Sequence, residues 1–275
     1  MITSPGNEKI KWIRKLQQKK FREETGLGYV EGLRVVGDAC QYSAGVEMLI
    51  VCEELLKSQF GAALIARERS RGIEVVEVSK PVFESFSLKE HPQGIAAVVK
   101  QHWSVLDEVT AEREKPWVVL DSIADPGNLG TIFRSTDGAG GAGVILLDQS
   151  TDPYDPVSIR ASMGALFNLK ICRATLEEFA RWKASRRCFV VGTSDSAATD
   201  YHRFRYPEYC VLMMGSERQG LRQDHYALCD AVVSIPMLGV SDSLNLAVAT
   251  SLVLYEVLNQ RRDRLEGGLP NDRVN

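Results

Sequence analysis

Six short apolar runs after Pro116 constrain the fold most. They are Trp117–Asp121, Gly143–Asp148, Leu169–Cys172, Cys188–Gly192, Cys210–Met214 and Ala231–Ile235. Most are continuous rather than alternating in hydrophobicity. A continuous apolar strand must be covered on both faces, which is the condition of a parallel sheet flanked by helices. Helical segments lie between several of the runs. The last, from about Ser243 to Arg262, carries Leu244, Val248, Leu252 and Tyr255 along one side. From Pro116 onward the chain is expected to be α/β.

A smaller alternating module precedes it in Tyr29–Lys100. A helix-like segment starts near Glu31, and Lys57–Arg71 reads as a second helix. Val46–Cys52, Ile73–Val78 and Ile95–Val99 read as strands. Gln101–Lys115, QHWSVLDEVTAEREK, is charged and poorly periodic, and reads as a linker. The expected division is 1–100, a linker at 101–115, a main domain at 116–262 and a loose polar tail at 263–275. With 275 residues, 44% of them hydrophobic, the chain can bury two cores.

The net charge of −3 excludes a uniformly basic nucleic-acid coat but leaves room for a local basic patch. The first 22 residues supply one. Ser4-Pro5-Gly6-Asn7 offers a turn and an N-cap. Lys11, Lys15, Lys19 and Arg22 then step by four, four and three, so a single helix would align them in one stripe, either the solvated face of an amphipathic helix or a phosphate-contacting arm. The six cysteines have no C-x-x-C pair and read as reduced core residues. The four histidines form no ligand-spaced cluster, so no metal site is expected. MITSPGNEKIKWIRK has no apolar signal core, and no run is long enough to span a bilayer. A soluble, cytoplasmic protein is expected.

Gly138–Gly143 reads GAGGAG and fits the dinucleotide pattern G-x-G-x-x-G. That pattern functions only when a strand precedes it and a helix follows. Here Asn128–Asp137 has helical spacing and comes first, and Val144–Leu147 reads as a strand and comes second. The glycines are expected to end a helix and turn the chain, which leaves little support for a nicotinamide enzyme.

Three polar turns follow strand candidates, where open α/β sheets place ligands. They are SIADPGN (122–128), GSERQGL (215–221) and PMLGVSDSLN (236–245). Asn128 could cap the helix after the first turn, and Arg134 falls opposite Leu129 and Phe133 on that helix. An arginine so placed can form a surface salt bridge or grip a phosphate bidentately.

Together DSIADPGNLGTIFRSTDGAG, MMGSERQGL and VSIPMLGVSDSLNLAVATSLVLYE resemble the three ordered motifs of the SpoU (TrmH-like, SPOUT superfamily) RNA ribose 2′-O-methyltransferases. The opening ITSPGNEKIKWIRKLQQKKFREETGLGYVEGLRVV resembles the N-terminal extension of members that act on ribosomal RNA. The resemblance implies a Rossmann-like parallel sheet with a C-terminal deep trefoil knot, and a small N-terminal α/β domain similar to ribosomal protein L30e that binds substrate. It implies S-adenosyl-L-methionine as cofactor, a homodimer, and an RNA partner, most directly a loop or hairpin of 23S rRNA. Carried over by motif position, Asn128, Arg134, Glu217, Ser243 and Asn245 are the catalytic candidates. Gly215, Ile235 and Leu244 would contact the cofactor, and Gly192 and Thr193 would line the same cleft. Arg160, in SIRASMGALF, would join the RNA-contacting set with Lys11, Lys15, Lys19 and Arg22. Arg218 stands where the second motif often has glycine, and Leu246-Ala247 replace the usual Val-Ser of the third. A tRNA ribose methyltransferase and a non-catalytic RNA-binding ribosome-assembly protein are the competing readings.

Overall fold

The computed structural model describes residues 1–42, 45–109, 113, 115–186 and 188–266. By contact the chain forms two compact units that no single cut separates. Met1–His102 and Asp152–Asn168 make the first, and Trp103–Thr151 with the residues from Leu169 onward make the second.

The first unit holds strands β1 (Leu27–Glu31), β2 (Val46–Val51), β3 (Glu74–Glu77) and β4 (Ile95–Lys100). Their order is β1-β4-β2-β3, with β4 antiparallel to both neighbours and β2 parallel to β3. The helix expected to start near Glu31 spans Leu33–Gln41, but the sequence reading missed strand β1 before it: LGYVE pairs along β4, from Leu27 opposite Lys100 to Glu31 opposite Ala96. Gly26 before the strand and Gly28 within it had blurred the short apolar pattern, while pairing and the burial of Tyr29 and Val30 decide it.

The N-terminal basic stripe is also corrected. There are two helices, Glu8–Lys15 and Lys19–Thr25, not one. Asn7 caps the first by accepting from the Lys9 amide at 2.9 Å. Residues 16–18 then donate to carbonyls three residues back, which tightens and closes the helix. Ile10, Ile13 and Leu16 are fully buried in a core with Tyr29, Ile50, Phe83 and Val98. Arg22 is fully buried as well, so it is not available as a surface phosphate contact. Its guanidinium donates to Asp152 Oδ2 at 2.8 Å, Asp155 Oδ2 at 3.3 Å and the Leu16 carbonyl at 3.1 Å. The helix Pro156–Ser162 follows, with Asp155 accepting from the Val157 amide as its N-cap.

The second unit holds β5 (Trp117–Asp121), β6 (Gly143–Leu147), β7 (Lys170–Ala174), β8 (Phe189–Thr193), β9 (Thr199–Asp200), β10 (Cys210–Met214) and β11 (Ala231–Ser234). The order is β7-β6-β5-β10-β8-β11-β9, and every neighbouring pair is parallel. This matches the expected α/β class and its six main strands. Strands β5, β6 and β10 are buried throughout, as their unbroken apolar character requires. Part of the expected linker belongs to this unit's core. Leu106 and Val109 are buried there, and Trp182 Nε1 donates to the Val109 carbonyl at 3.2 Å.

The helix Pro126–Gly138 precedes GAGGAG and β6 follows it, the inverted order read from sequence. A Cβ on Gly143 would lie 2.2 Å from the Lys170 carbonyl oxygen and 2.6 Å from the Trp117 ring. Close strand packing therefore demands glycine there, with no phosphate involved. The final helix runs Leu246–Glu266, four residues beyond the expected end at Arg262, and residues 267–275 of the expected tail lie outside the described residues. Among the described residues no helix is long and apolar enough to cross a membrane.

Candidate active site

Strand order reverses between β5 and β10. From β5 the chain moves outward through β6 and β7, and later elements fill the other side through β10, β8 and β11. The crevice beyond the carboxyl ends of β5 and β10 is the topological switch point, where such sheets bind ligands. The turns 122–128 and 215–221 meet there. Ser122, Ala124, Asp125, Asn128, Ser216 and Glu217 are among the lining residues of a cavity of about 410 Å³.

Glu217 joins the two turns. Its Oε2 accepts from the Ala124 amide at 2.9 Å, and its Oε1 accepts from the Asp125 amide at 3.2 Å and Asn128 Nδ2 at 3.1 Å. Asn128 Oδ1 in turn accepts from Asn245 Nδ2 at 2.9 Å. Asn245 Oδ1 accepts from the Ala247 and Val248 amides, so this residue caps the final helix. A hydrogen-bonded clasp therefore brings together three candidates separated by 89 and 117 residues in sequence. Contrary to the sequence expectation, Asn128 does not cap its own helix. Asp125 does, accepting from the Asn128 amide at 2.7 Å, with Pro126 in the first turn. This frees the Asn128 side chain to bridge Glu217 and Asn245.

Arg134 lies six residues, about 1.7 turns, further along the helix and is exposed, while Leu129 and Phe133 are buried. Among the described residues it makes no hydrogen bond or ion pair. Ser243 is exposed on the 236–245 turn and likewise stands outside the clasp.

The cofactor candidates fall on adjacent strands. β8 lies between β10 and β11, with Gly192 opposite Met213 and Thr193 opposite Val233. Thr193 Oγ1 donates to Met214 Sδ at 3.4 Å. Gly215 follows β10 and Ile235 follows β11, so both leave the same edge as Thr193. A Cβ on Gly215 would lie 2.0 Å from the Gly220 carbonyl carbon, because Ser216 and Gly220 close the turn through two backbone hydrogen bonds. Gly192 is required by packing too, since a Cβ there would meet Cys229 Sγ at 2.6 Å and Leu221 at 2.8 Å. Burial pushes the Cys229 thiol up to about 11, so it packs as a neutral group. Ile235 and Leu244 are half-buried, and Leu238 and Val240 between them are exposed. Backbone groups, small residues and partly exposed apolar side chains suit a flat heterocycle.

Sequence reading missed a second tie beside the crevice. His225 is fully buried with Nε2 3.5 Å from Asp121 Oδ1. Arg222 reaches Asp121 Oδ2 at 3.6 Å and Asp148 Oδ2 at 3.8 Å. Ser122 and Asp148, directly after β5 and β6, both have φ of 48°, a strained conformation for these residues. Only the spacing of Arg222 and His225 just beyond the second motif could have signalled this.

Arg160, Lys11, Lys15 and Lys19 all lie in the first unit. Arg160 is exposed. Lys11 pairs with Glu8 at 2.8 Å, Lys19 with Glu23 at 3.8 Å, and Lys15 lies 5.8 Å from the Phe21 ring centre. These exposed contacts are weak and exchangeable. Among the described residues no group of three His, Cys, Asp or Glu side chains could hold a metal ion.

Residues 115–255 match the SpoU rRNA Methylase family, and residues 7–97 match the MRM3-like substrate binding domain. The chain belongs to the SpoU rRNA methylase family. It is 31% identical to the 23S rRNA (uridine(2479)-2′-O)-methyltransferase of Streptomyces viridochromogenes, over 94% of this chain and 92% of the relative. It is 28% identical to the 23S rRNA (guanosine(2553)-2′-O)-methyltransferase RlmP of Bacillus subtilis, over 93% and 98%. An AdoMet-bound rRNA methyltransferase from Sinorhizobium meliloti superposes with a TM-score of 0.87 at 36% identity, covering 94% of this chain and 97% of that one. Family membership makes this chain an RNA ribose 2′-O-methyltransferase whose methyl donor is S-adenosyl-L-methionine.

Proposed function

We propose that this enzyme methylates a ribose 2′-hydroxyl of 23S rRNA, at a loop or hairpin nucleotide, acting in the cytoplasm as a homodimer. The observation that carries this reading is the Glu217–Asn128–Asn245 clasp, which fastens the first, second and third motif turns to one another at the switch point. Near-complete coverage of two relatives named for 23S rRNA supports the choice of RNA. A loop or hairpin is favoured because a paired, stacked ribose is hard to reach.

The backbone of Gly215, Ile235 and Leu244, with Gly192 and Thr193 beside them, would hold the cofactor. When bound, it supplies an electrophilic methyl group on a sulfonium whose departure leaves a neutral thioether. No residue is needed to protonate the leaving group, so alignment and removal of one hydroxyl proton remain as the tasks. Arg134 is exposed and uncommitted, and it would hold the phosphate beside the target ribose and orient the hydroxyl. A guanidinium does not deprotonate in a protein, so the proton passes to that phosphate or to water. Asn128, Glu217 and Asn245 are positioning residues that fix the turns around the methyl carbon. Ser243 would add a hydrogen bond on the ribose side. Lys11, Lys15, Lys19 and Arg160 would supply phosphate contacts in the first unit.

The finer fold belongs to the same proposal. In the deep trefoil knot implied by the resemblance, segment 236–245 would thread behind the 215–221 turn before the final helix begins. The clasp from Asn245 to Asn128 supports that path. The dimer is supported by Val248, Leu252 and Tyr255, which are 37–48% exposed on one face of the final helix. They line a cavity of about 280 Å³ together with Thr131 of helix Pro126–Gly138. Incubation with labelled S-adenosyl-L-methionine and total RNA, followed by mapping of 2′-O-methylated positions, tests the reaction. Label confined to tRNA would overturn the choice of RNA, and no cofactor binding by calorimetry would favour the non-catalytic reading.

A further inference from the structure

The first unit contains a cavity of about 420 Å³, within the roughly 300–1,000 Å³ range of small-ligand sites. Glu31 lines it while only 8% exposed. Its Oε1 accepts from Ser87 Oγ at 2.6 Å, and its Oε2 accepts from Tyr29 OH at 3.0 Å and the Leu88 amide at 2.9 Å. A carboxylate has about four acceptor positions, so one is left for a donor entering the cavity. A buried carboxylate is costly, and an apolar residue would fill a purely structural position at less cost. Burial, and then the Glu31 charge, hold the Tyr29 phenol well above its ordinary range, so it remains a donor.

Most of the remaining lining is apolar, with Leu88 and Val157 both over 40% exposed. Lys89 and Arg160 add two cations, neither with an ion-pair partner among the described residues. The other lining carboxylate, Asp155, is already occupied by Arg22 at 3.3 Å. A partly buried acceptor, apolar walls and free cations match a flat base with an amino group, attached to phosphate.

We infer that this cavity receives one unstacked, amino-bearing nucleobase of the RNA substrate, with its amino group donating to Glu31 and an adjoining phosphate held by Lys89 and Arg160. The inference rests on the reading that RNA is the substrate. Adenine, cytosine and guanine each offer an exocyclic amine. Uracil offers only an imino donor flanked by two carbonyl oxygens, which the carboxylate would repel.

Fluorescence anisotropy of the full chain with labelled cytidine and uridine hexanucleotides tests it. Cytidine is expected to bind about tenfold more tightly than uridine, the scale of one good base contact. Glu31→Gln should bring that ratio close to one. Val157→Trp, which fills the cavity without touching the Glu31 hydrogen bonds, should weaken cytidine binding about tenfold and covers the case in which Glu31→Gln does not fold. A wild-type ratio near one, or a ratio that survives Val157→Trp, overturns the inference. So does cytidine monophosphate competing as well as the hexanucleotide, which would mark a free-nucleotide site. Methyl transfer to 23S rRNA by the wild type is read separately. Transfer with a ratio of one removes the pocket alone, and a tenfold ratio without transfer removes the proposed reaction alone.

Discussion

Replacing Asp152 with alanine removes the main partner of a fully buried arginine. Arg22 Nε lies 2.8 Å from Asp152 Oδ2, and the two side chains are 1% and 3% exposed. Breaking a buried pair from one side costs about 3–5 kcal/mol, because the remaining charge stays desolvated. Asp155, 3.3 Å away and 30% exposed, and the Leu16 carbonyl still serve the guanidinium, so the lower end applies. About 3 kcal/mol corresponds to a midpoint lowered by roughly 6–12 °C in a chain of this size. Calorimetry of the full chain measures it. Arg22→Met/Asp152→Ala should recover at least half of the loss, since neither charge then remains. An Asp152→Ala midpoint within about 2 °C of wild type would refute the reasoning. So would a double variant as unstable as the single one. If Arg22 served RNA instead, Arg22→Met would keep its midpoint and lose RNA affinity.

Arg134→Lys should lose most turnover while calorimetric affinity for S-adenosyl-L-methionine holds, because an ammonium cannot reproduce bidentate phosphate contact. Unchanged turnover would sink that assignment. Gly215→Ala forces a Cβ to within 2.0 Å of the backbone at Gly220, so the closed turn must open, and cofactor affinity should fall at least tenfold. Burial raises the Cys40 and Cys229 thiols to about 11 and Cys172 to about 12. At pH 8 these three should resist iodoacetamide in the native chain and react in urea. The unfolded thiols ionise first as pH rises, so stability should decline from about pH 9 upward toward the folded values.

Sequence patterning located β5 and β10 to the residue because each is a closed apolar run bounded by polar turns. It missed β1, where Gly26 and Gly28 interrupt the pattern and cross-strand pairing decides the outcome. It assigned the N-terminal basic residues to one helix because charge periodicity does not report a helix break. Burial of Leu16 and closure at residues 16–18 separate Lys15 from Lys19. The clasp members were legible as motif positions but not as partners. Which of Asp125 and Asn128 caps the helix depends on Glu217, nearly 90 residues away. Arg22 looked like its lysine neighbours because its true partners lie some 130 residues downstream.

The discontinuity of the first unit bears on how such enzymes could exchange RNA targets. Residues 152–168 sit in the middle of the methylase sequence, yet they complete the substrate-side unit with Asp152, Asp155 and Arg160. A recombination event that transplanted only residues 1–102 would import Arg22 without the carboxylates, Asp152 and Asp155, that hold it. Target choice in this architecture would therefore be inherited as two co-adapted segments, and a working chimaera needs both.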